Sequence, residues 1–155
     1  MNSNYKGCRV PEDLLYDLSY NVWTKLDGEV ATVGVTEPAQ SYSGEVIFIK
    51  VKPVGTKIER GAILGTIESA KFMGPLRAPL SGTVIEINAD VIAKPSLINR
   101  DAYVNWVVKM VPEKLDGELK LLLAGKEASE KYKPIIDEWG IECKDTRGRD
   151  AVIGR

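Results

Sequence analysis

Glu68-Ser69-Ala70-Lys71 stands between two strand-like runs, Gly61-Ala62-Ile63-Leu64-Gly65-Thr66-Ile67 before it and Leu80-Ser81-Gly82-Thr83-Val84-Ile85-Glu86-Ile87 after it. Gly74 and Pro75 follow the lysine and do not readily continue a ladder, which predicts Lys71 at the tip of a hairpin. A lysine there has a free amine on a long stem and no packing partner, a geometry suited to an attachment point. The plainer reading is a solvated turn lysine, the commonest fate of that residue type.

Working outward, Ser43-Gly44, Val46-Ile47 and Ile49 recur as Ser81-Gly82, Val84-Ile85 and Ile87 at one constant offset. Two similar halves feeding strands to a shared core predict a mainly β fold: a flattened two-sheet barrel with pseudo-two-fold halves. Before the lysine, residues 11–15 read as a short N-terminal turn and residues 16–25 as a strand. Asp27-Gly28 turns that strand onto residues 29–35. Thr36 caps a short helix that Gly44 ends, and residues 45–49 are too apolar for a strand exposed on both faces.

After the second half, residues 88–98 cross over, divided at Pro95-Ser96, to a closing strand over residues 106–111. Beyond Pro112 the period becomes helical. Asp116 is expected to cap a helix reaching Leu123 and stopped by Gly125. A second helix over residues 126–139 is expected to be interrupted by Pro134, with Ile135, Ile136 and Trp139 turned to the barrel or to a partner. Residues 1–142 thus read as one domain and residues 143–155 as a charged, flexible tail.

The 155 residues suffice for a core without disulfides or metals. A net charge of -1 argues against nucleic-acid binding. No apolar run is long enough for a membrane helix, and the first residues lack a signal peptide's apolar centre, so the cytoplasm is the default. The sequence has no histidine, which excludes Ser-His-Asp triads. Cys8 and Cys143 have neither CxxC nor zinc spacing and read as two unrelated reduced thiols.

The Glu68-to-Lys71 spacing, followed by Pro79, Ser81 and Gly82, resembles the lipoyl site of the glycine cleavage H protein family. Residues 11–109 carry the wider match, including Asp27-Gly28, Val33-Gly34 and Leu97-Ile98-Asn99. Asn21-Val22-Trp23 departs from the family's His-Glu-Trp. The resemblance implies lipoic acid in amide linkage on Lys71, with Glu68, Ser69 and Ala70 read by the lipoylating enzyme. It implies a non-catalytic, monomeric carrier with C-terminal helices. Biotin is disfavoured, since Ala70 and Phe72 stand where biotin carriers have methionines.

Phe72-Met73-Gly74-Pro75 differs from the small residues and Ser-Asp usual in the family, and Phe72 with Met73 would make a partner-facing patch. That surround resembles the lipoate-binding branch of bacterial sulfur oxidation, which works with a heterodisulfide-reductase-like complex. A sulfur-oxidation carrier is therefore the first expectation. The aminomethyl carrier of glycine cleavage is the alternative, and an unmodified scaffold the second alternative. Expected partners are a lipoate-protein ligase or lipoyl transferase, one of the two enzyme sets, and a dihydrolipoamide dehydrogenase-like oxidoreductase.

Overall fold

The structure, a computed structural model, describes residues 2–143. It opens with β1 (Asn2–Tyr5) and β2 (Cys8–Pro11), joined through Lys6 and Gly7, both at positive φ as a two-residue hairpin turn demands. The short turn expected over residues 11–15 is present at Glu12-Asp13 but is not helical: Pro11 closes β2, and β3 (Leu15–Asp17) follows. The single strand expected over residues 16–25 is also divided. The Asp17 carboxylate accepts the Tyr20 amide at 3.1 Å and Asn21 sits at φ 57, so the chain folds back before β4 (Val22–Asp27). Gly28 then turns β4 onto β5 (Val30–Val35) as the sequence predicts, with Asp27 opposite Val30.

Thr36 caps α1 (Glu37–Ser43) and Gly44 ends it at φ 84. β6 (Val46–Val51), β7 (Lys57–Ile58), β8 (Ile63–Ser69), β9 (Met73–Arg77) and β10 (Gly82–Ile87) follow. Two short helices, α2 (Ala89–Ala93) and α3 (Leu97–Arg100), flank Pro95-Ser96 before β11 (Val108–Pro112). The helix expected up to Leu123 breaks into α4 (Leu115–Glu118), a tight 3-10 turn and β12 (Leu123–Ala124). Gly125 stops nothing. It begins α5 (Gly125–Trp139), because a Cβ there would collide with the Glu12 backbone. Pro134 does not interrupt α5 either; it lies on the exposed side, where water can serve the carbonyl it leaves unpaired.

All strand pairs are antiparallel. One sheet runs β12-β3-β4-β5-β11-β10-β7 and a smaller one runs β6-β8-β9. They share one core, in which Ile49, Leu64 and Leu76 of the small sheet meet Val33, Val84 and Met110 of the large one. Each such side chain contributes about 1.5–3 kcal/mol on burial. The two halves echo in backbone as well as in sequence. The register shifts between Val46 and Phe48 in β6, and between Val84 and Glu86 in β10, at equivalent positions of the repeat.

A second core lies behind the large sheet. Trp23 of β4 points into it while Val22 faces the first, so the start of β4 is buried on both sides. Val10, Tyr16, Tyr132 and Ile136 fill it, and α5 closes it. Ile135 and Trp139 pack at its margin, so the apolar face of α5 is turned to the domain. Cys8 and Cys143 are not free thiols: they form a disulfide within this core, with Cα atoms 4.7 Å apart. Their sequence separation of 135 hid the pairing, which only the meeting of the chain's two ends reveals. Cys143 therefore belongs to the domain, and the remainder of the expected tail lies outside the described residues.

Replacing both cysteines by serine should destabilise the domain by about 2–5 kcal/mol, read from the urea midpoint. Buried Tyr16, Tyr103 and Tyr132 provide a pH test, since desolvation raises the pKa of each phenol above its ordinary value of 10.0. Their folded pKa values exceed the unfolded ones. Stability should thus be full below pH 10.0 and fall above it, as the unfolded chain ionises first. Thermal unfolding across that range, with tyrosinate absorbance, checks this; Tyr132→Phe should blunt the loss.

Candidate functional site

Lys71 occupies the tip of the β8–β9 hairpin, as its sequence context predicts, although the partner strand differs. Leu80–Ile87 does not pair with β8; Met73–Arg77 does, with Glu68 opposite Met73 and Ile63 opposite Arg77. Gly74 and Pro75 lie inside that ladder instead of ending it. The proline is tolerated because β9 is the outer strand of its sheet.

The turn itself is closed by Ser69, whose amide and hydroxyl both donate to the Phe72 carbonyl, at 2.8 and 3.0 Å. It is also held from one side. The Ala70 amide donates to the Glu45 carbonyl at 2.9 Å, and the Lys71 amide to the Ser43 carbonyl at 3.2 Å. These acceptors flank Gly44, whose φ of 84 suits a residue without a side chain. A Cβ on Gly44 would stand 3.3 Å from that of Ala70. Asn99 in turn clamps this turn: its side-chain amide donates to the Gly44 carbonyl at 2.9 Å and to Gln40 at 2.7 Å, and its oxygen accepts the Val46 amide at 2.8 Å.

An aromatic stack backs the tip. Phe72 lies on Tyr42 of α1, ring centroids 5.2 Å apart, and Tyr42 lies on Trp139 at the end of α5, at 4.5 Å. Phe72 and Met73 are both exposed but have different neighbours. Phe72, 47% exposed, leans on Tyr42, whereas Met73, 72% exposed, projects from the sheet. Lys71 and Glu68 are both exposed to solvent. At the hairpin's inner side, Val46, Ile67, Phe72 and Leu76 help line a cavity of about 160 Å³.

Other residues of the sequence motif are not at the lysine. Ser81 lies past the base of the hairpin, where its hydroxyl donates to Glu118 at 2.6 Å and accepts the Arg60 amide at 2.8 Å. Gly82 lets β10 run against the Val111 carbonyl. Asn21, in the place of the family's histidine, accepts from the Tyr132 hydroxyl at 2.9 Å. Tyr42, Asn99 and Trp139 support the tip from outside the sequence motif. Only Asn99 carried a signal, within the Leu97-Ile98-Asn99 run. Among the described residues no group of three acidic, cysteine or histidine side chains could hold a metal.

A two-sheet sandwich with an exposed lysine on a pinned hairpin is the architecture of a carrier domain, which presents a covalently attached group to other proteins. The chain belongs to the glycine cleavage H-protein family, whose sequence model matches residues 14–135. It is 42% identical over 145 residues to glycine cleavage system H protein 3 of Aquifex aeolicus, covering 90% of this chain and 89% of that one. It is 40% identical over 142 residues to probable glycine cleavage system H protein 2 of Sulfolobus acidocaldarius, covering 89% and 95%. The crystal structure of a glycine cleavage system H protein from Mycobacterium marinum superposes with a TM-score of 0.67 at 26% identity, covering 79% of this chain and 98% of that one. The protein is accordingly a non-catalytic lipoyl carrier; members of its family hold lipoate covalently on a lysine and work with glycine cleavage enzymes and lipoyl ligases.

The sulfur-oxidation expectation is corrected by these relatives, which are named as glycine cleavage H proteins. Phe72 has a structural role in its stack on Tyr42. The same correction applies to the heterodisulfide-reductase-like partner.

If the stack steadies the tip, Tyr42→Ala should raise hydrogen exchange at the Ala70 and Lys71 amides by about 2- to 10-fold, the equivalent of about 0.5–1.5 kcal/mol of lost stacking. Tyr42→Phe, which keeps the ring, should leave exchange unchanged.

Proposed function

We propose that Lys71 bears the lipoyl group and that the protein carries the aminomethyl group among the enzymes of glycine cleavage. The observation that supports this reading most is the hairpin tip. It offers an exposed amine on a backbone fixed by hydrogen bonds from both Ala70 and Lys71, with an exposed carboxylate three residues earlier. These residues fit the group: the amine is accessible for amide formation, and an apolar-walled cavity lies beside the hairpin.

When attached, lipoate supplies a disulfide ring that opens to accept a fragment. The chain's own contribution is placement. Lys71 gives up its charge on forming the amide, so its stem can lie against Phe72 and Ile67 at less desolvation cost. The pinned turn keeps the anchor in one position, which raises the arm's effective concentration at a docked enzyme. Glu68 offers the loading enzyme a carboxylate at a fixed spacing from the amine, with Ser69 and Ala70 setting the turn between them. A lipoate-protein ligase or lipoyl transferase would load it, and a dihydrolipoamide dehydrogenase would reoxidise it.

The same reading takes the chain as one monomeric carrier domain working in the cytoplasm. Among the described residues no helix is long and apolar enough to cross a membrane. Disulfides persist in a reducing cytoplasm mainly in hyperthermophiles, and this one is buried from reductants.

Intact-mass analysis after incubation with lipoate-protein ligase, lipoate and ATP tests the assignment. The wild type should gain one lipoyl mass and then support glycine decarboxylation with its enzymes. Lys71→Arg should gain none and keep its stability within about 0.5 kcal/mol, as for an exposed substitution. Glu68→Gln should slow loading while leaving stability unchanged. A lipoyl mass on Lys71→Arg would overturn the assignment, and a wild type that is never modified would favour the scaffold reading.

A further inference from the structure

The three-stranded sheet beside the lysine has an outer face that the packing of the domain leaves uncovered. The register aligns Phe48 of β6, Glu68 of β8 and Met73 of β9 in one cross-strand row. Directly paired residues of antiparallel strands project to the same side. All three are exposed, Phe48 by 54% and Met73 by 72%. The adjoining row towards the tip, Val46 opposite Ser69, is buried, so Phe48-Glu68-Met73 is the first outward row next to Lys71. A bulge at Ile47, where the register shifts between Val46 and Phe48, brings Phe48 into that row.

The apolar surface continues past Phe48. Between β6 and α2 lies a groove of about 670 Å³ lined mainly by apolar residues, among them Phe48, Val51, Ile87 and Ile92, with Lys50 the one charged side chain in its lining. A carboxylate thus stands between two large apolar side chains, at the head of an apolar strip that begins beside the lysine tip.

We infer that this strip, Met73-Glu68-Phe48 and the groove beyond it, is the docking surface for the enzyme that attaches the lipoyl group. The inference rests on Lys71 being the attachment site. The loading enzyme must reach the bare amine, before any arm exists, so its active site has to cover the residues beside the tip. Enzymes that act on the finished arm are met by the arm's far end and can dock elsewhere. The charge pattern agrees. An active site that handles ATP and a carboxylate is lined with cations, which suits an acid flanked by apolar contacts. Phe48 and Met73 would exclude water around that ion pair and supply the apolar anchors of the interface.

The test compares loading kinetics of the full chain with lipoate-protein ligase, lipoate and ATP. Phe48→Ser with Met73→Ser should raise the KM for the carrier about tenfold or more while kcat stays within about twofold. Ile92→Ser should give a smaller rise of the same kind, and Leu121→Ser, an exposed leucine outside the strip, should change nothing. After prolonged loading to completion, the double variant should serve the glycine cleavage enzymes at the wild-type rate. Unchanged melting temperature confirms that the fold survives. An unchanged KM for the double variant overturns the inference. So does normal loading with impaired glycine cleavage, which would assign the strip to another partner. Failure of the wild type itself to load at Lys71 would instead bring down the reading on which the inference rests.

Discussion

The two carbonyls on either side of Gly44 accept the backbone amides of Lys71 and Ala70, and the presentation of the lysine depends on that pair of bonds. A hairpin tip projecting alone would fray, since few contacts hold its last residues. Here the donors of the tip are satisfied by a neighbouring connection that is itself fixed. Gly44 takes a left-handed conformation that a side chain would oppose, and its missing Cβ lets Ala70 approach. Asn99 bonds to both ends of this connection, at the Gly44 carbonyl and the Val46 amide. The lysine backbone is therefore held through α1, β6 and α3, while its side chain remains free to be modified.

This arrangement explains which parts of the molecule were legible in the sequence. The Asp27-Gly28 turn, the Thr36 cap and the Gly44 stop are local chemistry, and each appears where the residues place it. The half-repeat was legible because equivalent positions in β6 and β10 solve the same problem, down to a bulge after Val46 and after Val84. Residues 16–25 misled because Val22, Trp23 and Thr24 at the start of β4 are all buried, which erases the alternation that marks strand limits. Gly125 misled because glycine also occurs where backbones touch, here against Glu12. The pairing of Cys8 with Cys143 is a property of the whole fold.

The site was legible in outline for the same reason. An exposed lysine with an acid three residues earlier is a local pattern. Its supports are not: Tyr42, Asn99 and Trp139 come from three different helical segments or their ends. The surround of Lys71 was the least reliable guide. Phe72-Met73 reads as one apolar pair along the chain, but the turn sends the two residues in different directions. Phe72 joins a stack while keeping about half its surface exposed, and Met73 stands free of that stack. A departure from family pattern at such a place changes what packs behind the lysine.

The second core gives that stack its footing. Trp139 ends α5, and Gly140 in the left-handed region reverses the chain, with its own amide bonded to the Asp137 carbonyl and the Ile141 amide bonded to that of Ile136. Cys143 then reaches the N-terminal hairpin, where its amide donates to the Lys6 carbonyl at 2.9 Å and its sulfur bonds to Cys8. The end of α5 is thereby fixed from both sides, by helix packing through Tyr132 and Ile136 and by the covalent tie just beyond it. Trp139 is held where Tyr42 can lie flat against it, and Tyr42 in turn meets Phe72. Cys8 and Cys143, which look peripheral in the sequence, thus close a continuous path of contacts that ends one residue from the lysine.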